Sequence, residues 1–284
     1  MTRSLLLVVN DSRPQAVTAA TEMSAILHKA GLTLLTVGNL KIDHVSQVAL
    51  TDISECEIAL VLGGDGTILR GAEIVQNTNI PLLGINLGHV GFLAEVEKAA
   101  ISEIAKAIID KSYVTDSRLL LAVSVERAGK IVNEGFALNE VTVERSETAM
   151  VELFLQIDNR PISRWGCDGL ICATPTGSTA YAFSAGGPII WPEVEALVVL
   201  PIAAHALFAK PLVISPDSRV VVDIESQSAV LSADGLRKFP LLAKDRITIV
   251  RNEQRVRLAH LKETNFSDRL VAKFKLPVEG WRGE

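Results

Sequence analysis

The segment Leu60-Val61-Leu62-Gly63-Gly64-Asp65-Gly66-Thr67 sets one carboxylate and one hydroxyl among three glycines, directly after the apolar run Ala59 to Leu62. Glycine lets the chain turn tightly and lets a ligand approach without a β-carbon in the way. A buried strand ending here would carry Asp65 to the carboxyl edge of a sheet, where α/β proteins place their ligands. Three further clusters have the same chemical character. They are Gly84-Ile-Asn86-Leu-Gly88-His89-Val-Gly91-Phe92-Leu93; Leu138-Asn139-Glu140-Val141; and Asp168-Gly169 through Thr174-Pro-Thr176-Gly-Ser178-Thr179-Ala180-Tyr181 to Ser184-Ala-Gly-Gly-Pro188. Glycine backbones expose N–H groups that make anion-binding concavities, and the hydroxyls of Ser and Thr add donors and acceptors. These are the groups that phosphates and sugar hydroxyls need. A helix starting near Ser178 would add its positive end.

The common nucleotide motifs are absent: no G-x-x-x-x-G-K-S/T, and no G-x-G-x-x-G after a strand. Bland readings also stand for single features. A glycine cluster at a strand end is often only a turn, and Asn139-Glu140 alone reads as a turn or capping pair. His89 fits a loop, His205 an apolar structural position, and Tyr181 and Phe92 plain core. The recurrence of glycine clusters with polar residues embedded is what favours a ligand site.

Length and composition bound the rest. The chain has 284 residues, a formal charge of −5, 48% hydrophobic residues and only 5% aromatics. That suits one large domain or two ordinary ones with an aliphatic core. The mild acidity gives no reason to expect nucleic acid, so a phosphate-bearing ligand must be held by local features. Leu5 to Val9 is too short for a signal core and runs into Asn10-Asp11-Ser12-Arg13-Pro14, a turn sequence. No run approaches the ~18 apolar residues of a membrane span. Cys56, Cys167 and Cys172 form no CxxC pair and lie near no histidine at zinc-ligand spacing. They read as buried free thiols in a reducing, cytoplasmic compartment, with no protein metal site.

Residues 1–115 alternate strand and helix: strands at 5–9, 32–37, 57–62 and 80–85, helices at 14–30, 68–75 and 101–111. That pattern predicts an α/β domain with a parallel sheet. From residue 116 to 265 short strands follow one another, at 119–125, 131–137, 141–144, 151–157, 170–173, 212–214, 220–224, 230–232, 247–251 and 256–261. Arg127 to Lys130 and Arg251 to Gln254 are expected to be turns. This predicts an all-β, sandwich-like second domain, with the tail 266–284 returning to the first.

Taken together, the four clusters resemble the NAD kinase family. The Gly-Gly-Asp-Gly-Thr loop alone is shared with lipid kinases. The run Thr174 to Tyr181 followed by Ser184 to Gly187 makes the resemblance specific, and it spans roughly half the chain. It implies an enzyme that phosphorylates the 2′-hydroxyl of the adenosine ribose of NAD to give NADP, with the site between the two domains. The donor would be ATP or polyphosphate, with Mg²⁺ or another divalent cation delivered on ATP. Asp65 would be the general base, and Gly63, Gly64, Gly66 and Thr67 would cradle donor phosphates. Arg70 could approach phosphate or be an ordinary solvated arginine. Asn139 and Glu140 would meet ribose hydroxyls, and Asp168 the nicotinamide half. Thr176, Thr179, Ala180, Tyr181 and Ser184 would line the adenine and ribose pocket, with Ala203 near the carboxamide and Phe92 an apolar wall. The resemblance also implies a homodimer or homotetramer.

Two departures bear on the pocket. Trp165-Gly166-Cys167 precedes Asp168 where many members carry a basic residue before glycine, and Leu236 follows Asp234-Gly235 where glutamine is frequent. Two other readings compete: a non-catalytic NAD(P)-binding regulator, and a lipid or sphingoid-base kinase sharing the glycine loop.

Overall fold

The computed structural model describes residues 3–86, 101–261 and 265–278. It divides into two compact units, Met1–Ser117 with Val256–Glu284, and Arg118–Arg255. The sequence pattern places these bounds at 115 and 266. The second crossing comes earlier because it falls inside a single long strand rather than in a linker after it.

In the first unit the elements run β1 (Ser4–Val9), α1 (Pro14–Lys29), β2 (Thr33–Thr36), β3 (Val45–Gln47), β4 (Cys56–Leu62), α2 (Asp65–Val75), β5 (Leu82–Ile85) and α3 (Ile101–Ile109). The strands pair in the order β3-β2-β1-β4-β5, all parallel. Leu5, Leu6 and Leu7 are all fully buried, as are Ile58 to Leu62, so these strands have no solvent face. Proline at its first position starts α1, and Gly31 with φ +81° follows its end. The alanines, Met23 and Leu27 of α1 pack with Ile104, Ala105 and Ile108 of α3 on the same strands. The short edge strand β3 is an addition to the pattern the sequence predicts. Its three residues are largely exposed and carry no hydrophobic periodicity.

Helix α2 begins at Asp65, three residues before the expected start. Gly64 takes the N-cap position, and its carbonyl accepts the N–H groups of Thr67 (2.8 Å) and Ile68 (3.2 Å). The end of the glycine loop is therefore itself the first helical turn.

The second unit is antiparallel β, and its elements continue as β6 (Val114–Arg127), β7 (Lys130–Ala137), β8 (Glu140–Glu144), β9 (Val151–Ile157), β10 (Arg160–Cys167), β11 (Gly169–Ala173), α4 (Tyr181–Ser184), β12 (Leu197–Ile202), β13 (Leu212–Ile214), β14 (Val220–Ile224), β15 (Ser228–Ala233), β16 (Arg237–Leu242) and β17 (Arg246–His260). Helix α5 (Phe266–Phe274) then belongs to the first unit. One layer is the sheet β13-β12-β11-β8-β15-β16. The other holds β10-β9-β14-β17, with β6 and β7 attached through β17. Alternate residues of both layers meet in one core: Val141, Val143, Leu170 and Leu231 from the first, and Leu153, Leu155, Val222 and Ile249 from the second. This is a β-sandwich. Strands β6 and β17 each begin in one unit and end in the other, and Leu258 of β17 pairs with Leu82 of β5 in the first unit.

Three local expectations change. Arg251 to Gln254 is not a turn: β17 runs unbroken, although Asn252 Oδ1 does accept the Gln254 N–H at 3.0 Å. Strands β10, β12 and β16 add to the predicted set. The segment near Ser178 forms a single 3-10 turn, Gly177–Thr179, and the four-residue α4, not a helix long enough to present a strong positive end. Among the described residues no helix is long and apolar enough to cross a membrane.

Candidate active site

The first unit places Asp65 at a topological switch point. Strand order runs outward from β1 through β2 to β3, then returns to β4 on the other side of β1. The crevice at the carboxyl ends of two such strands is where open α/β sheets bind ligands. Val9 and Leu62, the last residues of β1 and β4, pair directly. Gly63 donates its N–H to the Ile85 carbonyl at 3.0 Å, so the loop is tied to the end of β5 as well. A β-carbon at Gly63 would overlap the Thr67 side chain, whereas Gly66 faces open space. Glycine at 63 is thus required by Thr67, while Gly66 leaves room beside the helix start. Asp65 is half-buried, Thr67 buried and Gly66 exposed. Arg70 stands exposed further along α2. Phe92, with Gly88, His89 and Gly91, lies outside the described residues.

The second unit gathers most of the other candidates. Asn139 and Glu140 are buried at the start of β8. Their backbone is held by Asp234: its Oδ1 accepts the Asn139 N–H at 2.7 Å, and its Oδ2 the Leu138 N–H at 3.0 Å. Arg237 Nη2 donates to Asp234 Oδ2 at 2.7 Å, and its guanidinium lies 4.3 Å from the centre of the Phe136 ring. Burial pushes the Asp234 carboxyl up, but these N–H groups and the guanidinium need an acceptor-only carboxylate, so Asp234 serves as an anion.

Glu140 has one carboxylate oxygen, Oε2, buried without a partner. Its carboxyl is pushed up to about 7, first by burial and then by the charge of Asp234, against the pull of the Tyr181 backbone N–H. A buried, unsatisfied carboxylate oxygen is costly, and a ligand hydroxyl would satisfy it.

Thr174 and Ser178 are spent on structure. Thr174 Oγ1 donates to Leu138 O at 2.6 Å, and Ser178 Oγ donates to Pro175 O at 2.6 Å and accepts the Ile190 N–H at 2.9 Å. A β-carbon at Gly177 would collide with the Asn139 carbonyl, which locks the turn onto the Asn139-Glu140 segment. Thr176 is buried, Thr179 and Ala180 half-buried, and Tyr181 and Ser184 exposed. Thr179 Oγ1 donates to Thr176 O at 3.2 Å. Ala203 is exposed with φ +48°.

Asp168 forms an ion pair with Arg145 (2.9 Å), and the two share an open pocket with Glu144, Tyr181 and Ile202. Burial raises the Tyr181 phenol, and the charges of Glu144, Asp168 and Glu140 add to the rise. Ser184 and Ala203 are not among the residues that line this pocket.

Trp165 does not face the pocket. Alternation along β10 turns it into the core at 1% exposure, with Nε1 donating to Phe208 O at 3.2 Å. Leu236 is exposed in the tight turn after β15. His205, expected as a structural histidine, is exposed, and its backbone N–H donates to the Gly166 carbonyl at 2.9 Å. The three cysteines are buried and free. Sequence reasoning missed Asp234 as a clamp, Arg237 and Arg145. The partners of Asp234 and Arg145 lie far along the chain, and only the Asp234-Gly235 turn pair is a local signal.

Residues 5–113 match the ATP-NAD kinase N-terminal domain and residues 138–261 the ATP-NAD kinase C-terminal domain. An NAD kinase of Thermobifida fusca is 44% identical over 99% of this chain and 92% of that protein. One of Mycobacterium bovis is 42% identical over 99% of both. A solved NAD kinase from Archaeoglobus fulgidus in complex with ATP has a TM-score of 0.72 at 26% identity, covering 97% of this chain and 99% of that one. The fold is also that of a yeast NADH kinase complexed with NADH, with a TM-score of 0.88 at 24% identity over 99% of this chain and 89% of that one.

Proposed function

The chain belongs to the NAD kinase family, and from that premise we propose that Asp65 accepts the proton of the adenosine ribose 2′-hydroxyl while a phosphoryl group is transferred to it. The reaction converts NAD to NADP, and the protein is a phosphotransferase. A secondary hydroxyl is a poor nucleophile at neutral pH, and a positioned carboxylate takes its proton as attack proceeds. What remains is alignment and charge neutralisation. The observation that carries this reading is the position of Asp65 as the first residue of α2, at the carboxyl end of β4 beside the switch point.

Gly63, Gly64, Gly66 and Thr67 hold the donor phosphates at the positive end of α2. Asn139, Glu140 and Asp168 bind the sugar and nicotinamide parts of NAD, and Thr176, Thr179, Ala180, Tyr181, Ser184 and Ala203 surround it. The orphaned Glu140 Oε2 supports a hydroxyl-bearing ligand there. ATP is the donor, with polyphosphate as an alternative. Among the described residues no three or more His, Cys, Asp or Glu gather as a metal cage. Mg²⁺ is commonly held by few protein carboxylates and by substrate phosphates, and here it would arrive with ATP. Bound in this way it would neutralise charge on the donor. The assembly is a homodimer or homotetramer, and the compartment the cytoplasm, in keeping with three free buried thiols.

The test is NADP formation by the purified chain with NAD, Mg²⁺ and either ATP or polyphosphate, read by an NADP-specific dehydrogenase. Turnover supports the proposal and identifies the donor. NAD binding without turnover from either donor contradicts it.

A further inference from the structure

We propose that Arg13 is a donor-binding residue whose guanidinium grips phosphate oxygens above the Gly63–Thr67 loop. The inference rests on the phosphoryl-transfer reading above and extends it to a residue from a different strand end.

The turn Asn10–Arg13 follows β1, the neighbour of β4 across the switch point. It is fastened to the end of β4 by the Asn10 N–H, which donates to Leu62 O at 3.0 Å. It is stiffened internally. Asn10 Oδ1 accepts the Ser12 hydroxyl at 2.6 Å and the Ser12 N–H at 3.3 Å, and the Arg13 N–H donates to Asn10 O at 3.1 Å. Pro14 then fixes the start of α1. This rigid base aims the Arg13 side chain across the crevice. Its Nη1 lies 3.9 Å from the point where a β-carbon on Gly64 would stand.

Arg13 has no carboxylate partner and no side-chain hydrogen bond among the described residues. Other arginines do: Arg3 with Glu57, Arg127 with Asp245, Arg145 with Asp168, Arg237 with Asp234. Arg13 is exposed, so it is not packed away either. An unpaired guanidinium beside a glycine loop at a helix start is matched to phosphate, whose oxygens accept its planar fork of N–H groups two at a time. The site needs such a charge. Asp65 sits one residue after Gly64, and its carboxylate repels an incoming polyanion. Arg13 offsets that repulsion from the neighbouring strand end. Arg70, the arginine that the sequence suggests, is exposed on α2 itself.

The experiment uses the full chain with Arg13→Gln and Arg13→Lys. KM is measured for ATP at saturating NAD and for NAD at saturating ATP, and tripolyphosphate binding is measured by titration calorimetry. Arg13→Gln should raise the KM for ATP about tenfold or more, weaken tripolyphosphate similarly, and leave the KM for NAD within about twofold. Arg13→Lys should fall between, keeping the charge but losing the fork. Unchanged tripolyphosphate affinity and KM for ATP overturn the inference, as does an equal rise in KM for both substrates. A wild-type chain that makes no NADP defeats the phosphoryl-transfer reading instead. The calorimetric difference then decides Arg13 by itself: lost affinity supports the anion contact, and no difference between the chains, or no binding to either, overturns it.

Discussion

Asp234 Oδ1 accepts the backbone N–H of Asn139 at 2.7 Å, so a carboxylate 95 residues away along the chain holds the segment that presents Asn139 and Glu140. The same carboxylate is bound by Arg237, and its side chain is 1% exposed. The clamp therefore works as one buried unit, in which the carboxylate meets N–H groups from a distant segment and the guanidinium from its own hairpin. Replacing Asp234 by Asn puts an amide where a carboxylate accepts N–H groups and removes the charge that pairs with Arg237. Asp234→Asn should lower unfolding stability by about 3 kcal/mol and raise the KM for NAD more than that for ATP. Urea unfolding and steady-state kinetics check this. A stability change under about 0.5 kcal/mol would show that the clamp is not structural.

Glu140 predicts a pH dependence of the opposite sign to the usual carboxylate. Its folded-state carboxyl is pushed up to about 7 from 4.5, by burial first and then by Asp234, with Glu144 adding to it. The folded chain therefore binds more protons than the unfolded chain between those two values. Stability from this group is fully present below about pH 4.5 and is lost as pH rises through about 7. Glu140→Gln should flatten that limb. Thermal melts of both chains from pH 5 to 8 measure it, and superimposable pH profiles would contradict the assignment.

Glu57 predicts the conventional sign. The Arg3 side chain, at 2.7 Å, holds its carboxyl down to about 2 against burial, with help from Lys111 and Tyr113. Stability from Glu57 is present above about pH 4.5 and is lost as pH falls toward 2. With Glu57 at 18% exposure the effect is on the order of 2 kcal/mol. Glu57→Gln should remove the acid-side loss in urea titrations between pH 5 and 3 and leave kcat unchanged, since the cluster joins Arg3, Glu57 and Tyr113 at the opposite strand ends from Asp65. A wild-type acid limb in the variant would refute this.

How far residue order alone reaches can be judged from these same elements. Strands β4 and β5 and helices α1 and α2 are readable because glycine or proline bounds their apolar runs, and β1 because its run meets the turn sequence Asn10 to Pro14, signals that act within a few residues. Strand β10 escapes because only Trp165 and Cys167 point inward, among Arg160, Pro161 and Arg164. Strand β16 is an edge strand carrying Lys238 and Pro240. Strand β12 contains Pro201, a residue disfavoured inside sheets, and it pairs with Leu170 all the same. In β17 the polar residues 252–254 do form the local side-chain bond their types favour, but strand pairing on either side overrides the turn. At the site, the glycine loop and the Asn139-Glu140 pair are visible as motifs. The hold of Asp234 on Asn139 and the approach of Arg13 to Gly64 are tertiary contacts across 95 and 51 positions, and no local pattern encodes them.

The account turns on Asp65, and Asp65→Asn tests it most directly. The amide keeps the shape of the side chain at the start of α2 but cannot take a proton. NADP formation should fall by about a hundredfold or more, with the dissociation constant for NAD, measured by calorimetry on the same preparation, changed by less than about threefold. Turnover near that of the unmodified chain would contradict the role of Asp65 as base.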